Sequence, residues 1–399
     1  KDSMKPFIHS YWKLNKETSI NISASDAIEK FTEMLSLSVK RRLRADVTVG
    51  TSLSGGLDSS SIIATLSKFN NRPSSFSAVF PGFEKDESKY IRKIAGKFNL
   101  KNFQVQPTAA GLINDFEKLA YHQEEPFPSS SIYAQYKVFE LAATHDVKVL
   151  LDGQGADETL AGYTRYVHWY LQEVLSRHKL GAARKERNAL LKNKIPFRWG
   201  INNVFAAFLP SHAAIQLEKN EYRKTISQPD ISREFLFAFR GKAWEGIHKP
   251  IVTKLNDILH FNVMESGLEE LLRFADRNSM AHGREVRLPF LDHELVKFIF
   301  SLPSTFKIHD GWTKWILRQT MDKKLPAEIV WRTDKIGYEP PQENWMQDSL
   351  FTDFIHEARK KLVNKGILKS SVLNKKIQPM TAHHADNFDW RYLSAAQIL

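Results

Sequence analysis

The feature that most constrains the fold is the stretch SGGLDSS, Ser54–Ser60, which joins a β-branched segment to a helical pattern. Val47–Leu53 alternates as a strand does, and Ser59–Phe69 places its apolar residues on one helical face. In an open α/β sheet, ligands bind beyond the carboxyl end of a strand, where a helix N-terminus offers unpaired N–H groups. The stretch therefore predicts an anion site at a strand–helix junction.

Strand and helix patterns continue to alternate along the first half of the chain. Strands are predicted over Ser74–Phe80, Asn102–Gln106 and Val147–Leu151, and helices over Asp86–Phe98, Ala110–His122 and Ile132–Thr144. This alternation predicts βαβ units, and hence an α/β fold with a parallel sheet covered by helices on both faces. After Tyr163, Trp, Phe and Leu at helical spacing predict a largely helical second half.

Composition excludes several classes of protein. The chain has 399 residues and no Cys, which excludes disulfides, thiolate metal sites and a Cys nucleophile. It has no apolar run of about 18 residues and no signal-peptide pattern, so we expect no integral membrane contact and a cytoplasmic location.

The net charge of the chain is +12, and Arg177–Arg198 is its densest basic stretch. That stretch predicts a solvated helix face or, as an alternative, a platform for an anionic substrate at a membrane surface. Without an RNA-binding or zinc-finger pattern, we expect no nucleic-acid partner.

The residues of the first loop indicate what anion it binds. Two glycines let the backbone turn and approach phosphate oxygens, and three serines add hydroxyl donors; they are Gly55, Gly56, Ser54, Ser59 and Ser60. Asp58 would repel phosphates unless a cation such as Mg²⁺ lies between them. Gly56 occupies the place where a kinase-type P-loop needs Lys, so that motif is excluded. A Ser-capped helix would explain the serines but not the Asp. The string matches the pyrophosphate loop of ATP pyrophosphatases, which cut ATP between its α- and β-phosphates.

A second loop, in LLDGQGADETLAGY, follows the fourth predicted strand in the same way. Gly153 and Gly155 permit a tight turn, and Asp157 and Glu158 place two carboxylates beside it. Alone, these acids would be explained as favourable charges at a helix N-terminus. Paired with the first loop in one parallel sheet, Asp58 and Asp157 are predicted to hold Mg²⁺ from two directions.

The two loops together resemble the synthetase domain of glutamine-hydrolysing asparagine synthetases. Three further stretches agree with that family: YHQEEPF at Tyr121–Phe127, the long segment Asp276–Pro303, and the Arg- and Lys-containing segment Thr313–Trp345. The resemblance runs from about Tyr11 to about Leu393. It implies an ATP-dependent amide ligase, which activates a carboxylate as an acyl-adenylate and lets ammonia attack it.

The resemblance also assigns roles to individual residues. It implies that the first loop and Gly153 bind the ATP pyrophosphate, that Asp58 and Asp157 hold Mg²⁺, and that Lys335 is the catalytic Lys. Bacterial asparagine synthetases carry Glu between the two glycines of the second loop, whereas this chain has Gln154, which cannot accept a proton. Either Glu158, Glu125 or solvent then removes the proton, or the acceptor is another carboxylate, such as a sugar acid.

Further residues of the matching stretches are candidates for orienting the acyl substrate. The candidates are Glu125, Gln154, Glu285 and Arg287. The stretch EVRLPFLDHELVKF, which contains the last two, is explained equally well as scaffold, with Asp292 capping an apolar helix. We predict a linker and leading helix over residues 1–45, an ATP-binding α/β core over 46–165, a helical insertion over 166–260, and a helical part over 261–399 that completes the site.

Without Cys, this chain cannot hydrolyse glutamine as the family's N-terminal domain does. We therefore expect the sequence to be the C-terminal part of a larger protein, with ammonia supplied by a glutaminase domain or partner. The alternative is an intramolecular lactam or lasso-peptide cyclase of the same superfamily, which uses the substrate's own amine. A tRNA-modifying enzyme is less favoured, because sulfur-transferring members need Cys. A small carboxylate and ammonia are the expected partners, with a homodimer as a further expectation.

Overall fold

Five parallel strands form the sheet at the centre of the molecule. A computed structural model describes residues 9–69, 72–245, 248–334 and 338–399. The strands are β1 (Val49–Ser52), β2 (Ser74–Ala78), β3 (Lys101–Val105), β4 (Val149–Leu151) and β5 (Glu285–Arg287), in the order β3-β2-β1-β4-β5. Every neighbouring pair is parallel. The predicted α/β fold with a parallel sheet is confirmed.

Four of the six helices in the first half, the second to the fifth, lie where the apolar periodicity predicts them. They are α1 (Ala24–Arg42), α2 (Leu57–Leu66), α3 (Ser88–Lys97), α4 (Ala109–Gln123), α5 (Ser131–Thr144) and the short α6 (Ala156–Thr159). α1 begins at a side-chain cap, because the Ser23 hydroxyl accepts from the Asp26 amide at 3.1 Å. Positively charged residues occupy its last turn, where they interact favourably with the partial negative charge of the helix C-terminus.

The second half is largely helical, as predicted. Its helices are α7 (Tyr166–Ser176), α8 (Leu180–Lys192), α9 (Ile201–Phe208), α10 (Pro210–Ile226), α11 (Arg233–Phe239), α12 (Leu255–Met264), α13 (Leu268–Met280), α14 (His293–Ser301), α15 (Trp315–Met321), α16 (Ala327–Val330), α17 (Gln342–Trp345), α18 (Ser349–Asn364) and α19 (Phe388–Ala396). A two-stranded hairpin, β6 (Ile308–His309) and β7 (Trp312–Thr313), precedes α15. Asp292 caps α14, as its sequence predicts.

Buried apolar residues cover both faces of the sheet. Leu150 packs into a cluster with residues of α4, α5, α18 and α19, whereas its neighbour Leu151 packs into a cluster with residues of α1, α2, α3 and α14. Successive side chains of a strand point to opposite faces, so these clusters are the two layers on the sheet. A third cluster joins α7, α8 and α12. No helix of the described residues is long and apolar enough to cross a membrane.

The fifth strand is a feature that the sequence analysis missed. Glu285–Arg287 pairs with β4 in parallel, so a segment of the C-terminal half completes the sheet of the N-terminal half. The guanidinium of Arg287 donates to the carbonyl oxygens of Arg42 and Arg44, which ties this strand to the end of α1. Val286 is the one apolar residue of this strand, so the strand leaves no apolar run or alternation in the sequence.

Candidate functional site

The two predicted loops meet because their strands are neighbours. β1 pairs with β4, and both lead at their carboxyl ends into a glycine-containing turn and a helix, α2 or α6. A Cβ atom on Gly153 would lie 3.0 Å from both the Cβ of Asp58 and the amide nitrogen of Ser59. Only glycine lets the second loop approach the first this closely.

The first loop presents the N-terminus of α2. Gly55 has φ +79°, which favours glycine, and Gly56 caps the helix without a side chain. The hydroxyls of Ser54 and Ser59 are hydrogen-bonded to each other at 3.0 Å, and the Ser54 hydroxyl accepts from the Gly56 amide at 3.3 Å. The unpaired N–H groups of such a helix start favour an anion, as the sequence predicts.

The carboxylates of Asp58 and Asp157 converge on one cation, the ammonium group of Lys314. Its Nζ lies 2.7 and 2.6 Å from the two carboxylate oxygens of Asp58, and 2.7 Å from Oδ1 of Asp157. Burial lowers the pKa of Lys314, but the two carboxylates outweigh this effect and hold the pKa above its ordinary value. The ammonium is therefore charged at neutral pH.

Lys314 is a candidate site residue that the sequence analysis missed. It follows β7 directly and has φ +51°, and its side chain is 7% exposed. The hairpin β6–β7 and the start of α15 thus place it between loops that lie far away in the sequence. Lys314 lies within the matching segment Thr313–Trp345, but the resemblance assigns the catalytic role there to Lys335.

These residues line a cavity of about 660 Å³, a volume typical of small-molecule sites. Seven of the predicted site residues lie in its wall: Ser54, Gly56, Asp58, Ser59, Gly153, Gln154 and Asp157. The wall also contains residues that the sequence analysis did not assign, among them Glu87, Asp152, Lys314, Arg318 and Arg332. Burial raises the pKa of Asp152, although hydrogen bonds from the Ser52 hydroxyl and from two loop amides lower it in part.

The other predicted site residues lie outside this wall or outside the residues that the structure describes. Ser60 is fully buried within α2, and Gly55 shapes the loop without lining the cavity. Glu125 pairs with Arg273 and has a side chain that is 64% exposed. Glu285 and Arg287 pair with each other at the end of the sheet. Lys335 lies outside the described residues.

Gln154 and Glu158 occupy different surroundings beside the two loops. The side-chain oxygen of Gln154 is buried and has no hydrogen-bond partner among the described residues, although Gln154 lines the cavity. Glu158 is buried, and one of its oxygens accepts from the Tyr163 hydroxyl at 2.6 Å. Glu158 lines a second cavity of about 780 Å³, which shares five wall residues with the first: Tyr163, Thr164, Leu271, Thr333 and Asp334. The two cavities are therefore adjacent.

Two arginines, Arg318 and Arg332, also line the first cavity. Arg318 is buried and donates to the carbonyl oxygens of Thr313, Val330 and Arg332. The guanidinium of Arg332 pairs with Glu87 at 2.7 Å and lies 4.0 Å from the ring centre of Tyr90. Burial raises the pKa of Glu87 to about 7, although Arg332 opposes the rise. Glu87 thus titrates near neutral pH.

We expect Glu87→Gln to change how the stability of the protein depends on pH. A carboxyl whose pKa is higher in the folded than in the unfolded state binds more protons when folded, so its contribution to stability falls as pH rises between the two values. For Glu87 that window runs from about 4.3 to about 7. The free energy of unfolding of Glu87→Gln should match the wild type near pH 4, below this window, and exceed it by about 1–3 kcal/mol at pH 8. Urea unfolding at both pH values measures the difference. A more stable wild type at pH 8 would mean that the ion pair with Arg332 outweighs burial.

We expect Gly153→Ala to weaken nucleotide binding by pushing the two loops apart. The added methyl would lie 3.0 Å from backbone and Cβ atoms of the first loop, which cannot move without shifting Asp58. ATP affinity, measured by calorimetry with Mg²⁺, should fall about tenfold or more. Gly96→Ala is the matched control, because Gly96 lies in α3 with no atom within 4 Å of an added Cβ. Equal ATP affinity of the two variants would contradict the close packing of the loops.

The geometry fits a divalent cation. Two carboxylates from separate loops reach the same ammonium group, so they can also reach one metal ion placed there. Carboxylate oxygens are the ligands that Mg²⁺ takes, completed by phosphate oxygens and water. A different group of three potential ligands, Glu186, His309 and Asp310, is the one that lies closely enough together to hold a metal ion among the described residues. Two oxygens of Glu186 there already accept from backbone amides.

Comparison with known proteins agrees with the motifs and the geometry. The family described as "Asparagine synthase" matches residues 30–396. This chain belongs to the asparagine synthase family. It is 27% identical over 361 residues to a putative glutamine-hydrolysing asparagine synthetase of Mycobacterium tuberculosis, covering 87% of this chain and 53% of that protein. It is 23% identical to glutamine-hydrolysing asparagine synthetase 1 of Bacillus subtilis, covering 86% of this chain and 54% of that protein.

Family members with other names are also similar to this chain. The amidase chry2 of Gibberella zeae is 25% identical over 389 residues, covering 84% of this chain and 56% of that protein. The chain thus spans about half the length of the curated relatives it matches. The predicted membership of the asparagine synthase family is confirmed.

Proposed function

We propose that this member of the asparagine synthase family is an ATP-dependent amide ligase. A carboxylate oxygen of the substrate attacks the α-phosphorus of ATP, giving an acyl-adenylate and pyrophosphate; ammonia then attacks the acyl carbon, giving the amide and AMP. The convergence of Asp58 and Asp157 on one cation, beside the free start of α2, carries this proposal. Such an arrangement suits a metal-bound triphosphate rather than an uncharged ligand.

The first loop would bind the pyrophosphate end of ATP. The amides at the start of α2, with the hydroxyls of Ser54 and Ser59, offer donors to phosphate oxygens. Asp58 and Asp157 would hold Mg²⁺, which when bound neutralises the charge of the pyrophosphate leaving group. The two carboxylates are already oriented towards a common point by Lys314.

Cations of the chain itself would stabilise the charge that develops during adenylation. Lys314 lies against both carboxylates, and Arg318 is one helical turn further along in the wall of the same cavity. A fixed positive charge beside a phosphate that gains negative charge lowers the barrier, because it needs no rearrangement during the reaction. The resemblance assigns this task to Lys335, and we keep that assignment as a proposal.

The amine side of the reaction would lie between Gln154 and Glu158. The buried oxygen of Gln154 can accept a hydrogen bond from the attacking nitrogen, and so orient it, but it cannot remove a proton. Glu158 is a carboxylate in the wall of the adjacent cavity and is held by the Tyr163 hydroxyl. We therefore propose Glu158 as the base. Glu125 is less suited to act as the base, because its carboxylate is exposed and already pairs with Arg273.

The second cavity would receive the acyl substrate. Its volume of about 780 Å³ is close to the upper end of common ligand sites, which leaves room for a carboxylate larger than aspartate, such as a sugar acid. Asparagine synthesis from aspartate remains included in the proposal. We further propose that a glutaminase domain or partner supplies the ammonia and that the reaction takes place in the cytoplasm.

Exchange of labelled pyrophosphate into ATP, with Mg²⁺ and one carboxylate at a time, tests this function. Aspartate and glucuronate are suitable probes for the two substrate classes. We expect exchange to require one of them and not ammonium, and the amide and AMP to appear only when ammonium is added. Release of ADP instead of AMP would contradict the proposal. A cyclic product formed without ammonium would favour the cyclase alternative.

A further inference from the structure

Positive charge is concentrated in one segment of the chain. Residues 177–254 contain 16 Lys and Arg against 6 Asp and Glu, whereas the whole chain contains 57 and 45. Outside this segment, positive and negative residues are therefore nearly balanced. The segment includes the helices α8 to α11. None of its Lys and Arg side chains lines the cavity that we assign to ATP.

Large apolar side chains are exposed in the same segment. In α9 and at its end, Ile201, Phe205, Phe208 and Leu209 are spaced four, three and one residues apart, which places them on one helical face. All four are exposed; Ile201 is 67% and Phe205 61% accessible. Contiguous exposed apolar residues of this size mark an interaction surface rather than an ordinary solvated face.

The neighbouring helix α8 combines both kinds of residue on its outer face. Leu180, Arg184, Arg187 and Leu191 lie on one side of the helix and are exposed, whereas Leu190, about a quarter-turn further round the helix, is buried. The His178 ring, just before α8, lies 6.3 Å from the Phe208 ring at the end of α9. The start of α8 and the end of α9 are therefore close in space.

We propose that α8 and α9 form a docking surface for a bilayer that contains anionic phospholipids. Interfacial helices bury aromatic and aliphatic side chains at the boundary of the acyl chains and place Lys and Arg at the lipid headgroups. A nucleic acid would use the positive charge but would leave Ile201 and Leu209 in water. This surface goes beyond the proposed reaction and does not depend on it.

The surface adjoins the cavity that we assign to the acyl substrate. Lys194 and Pro196, from the connection between α8 and α9, line that cavity. A carboxylate substrate carried by a membrane-bound molecule would therefore meet the protein beside its own docking surface. A role of the docking surface in substrate delivery, unlike the surface itself, rests on the proposed function.

Sedimentation of the whole chain with vesicles tests the docking surface. Vesicles of equal parts phosphatidylglycerol and phosphatidylcholine should bind the protein at low salt, and vesicles of phosphatidylcholine alone should bind it at least tenfold more weakly. The double variant Phe205→Ser/Phe208→Ser should weaken binding to the anionic vesicles at least tenfold. The variant Arg184→Gln/Arg187→Gln should weaken it about tenfold and reduce its dependence on salt.

A control variant and an oligomer measurement complete the experiment. Leu350→Ser/Lys361→Gln removes an exposed apolar and an exposed positive residue on α18, away from α8 and α9, and should bind as the wild type does. Equal binding to neutral and anionic vesicles, or wild-type binding by Phe205→Ser/Phe208→Ser, would overturn the proposal. A wild-type dimer in light scattering that this variant dissociates would also overturn it, because the surface would then join two copies of the chain.

Discussion

Asp58→Asn and Asp157→Asn are each expected to slow carboxylate-dependent ATP–pyrophosphate exchange at least about a hundredfold. The two carboxylates converge on one point, the ammonium group of Lys314, which we propose as the position of the divalent ion. An amide keeps the shape of either side chain but removes the negative charge that a hard cation requires. The loss should appear in calorimetry as weaker ATP binding in the presence of Mg²⁺, as well as in the exchange rate.

The matched control is Asp353→Asn, which makes the same chemical change at an exposed position of α18. We expect its exchange rate to equal that of the wild type. Thermal unfolding of all three variants without nucleotide separates a site effect from a folding defect. If either cavity variant exchanged pyrophosphate at the full rate, the assignment of the two carboxylates to the metal would be wrong.

Lys314→Met is expected to have the second largest effect, on both stability and activity. Its ammonium group holds two carboxylates together, and their negative charges would repel each other without it. We expect the free energy of unfolding without metal to fall by about 2 kcal/mol, less than for fully buried pairs because the carboxylates are partly exposed. Exchange activity should fall at least about tenfold, because a positive charge is lost beside the phosphates.

Addition of Mg²⁺ distinguishes this role from an ordinary packing defect. Because the ion would bind the two carboxylates that Lys314 vacates, Mg²⁺ should raise the unfolding temperature of Lys314→Met more than that of the wild type. Lys307→Met is the matched control. Lys307 is fully buried and its ammonium group donates to the carbonyl oxygen of Leu302, away from the cavity. An equal response of both variants to Mg²⁺ would show that Lys314 does not share the cation site.

The sheet and the two loops could be predicted from the sequence because they depend on local patterns. β-branched alternation marked β1, and a wholly apolar run marked β4. Parallel strands place their carboxyl ends at one edge of a sheet, so the convergence of Asp58 and Asp157 follows from topology. The direct contact of the two loops at Gly153 agrees with that inference.

The rest of the cavity could not be predicted, because it depends on contacts between distant segments. Lys314 reaches the loops through a hairpin and an unusual backbone angle, and neither leaves a periodic pattern. Glu87 and Arg332 become cavity residues only by pairing with each other across the fold. Conversely, Glu285 and Arg287 attract attention as charged neighbours in a long motif, but their contacts are with each other and with the end of α1.

The late origin of β5 has a consequence for how the protein is made. The strand that borders β4 is synthesised only after the helices α7 to α13, so the second loop is made long before its supporting strand. An excised fragment of residues 46–165 would expose the edge of β4, and such edges promote aggregation. The sheet beside the second loop is therefore completed only when the C-terminal half has been made. A protein split between the two halves should recover pyrophosphate exchange only when both halves are expressed together.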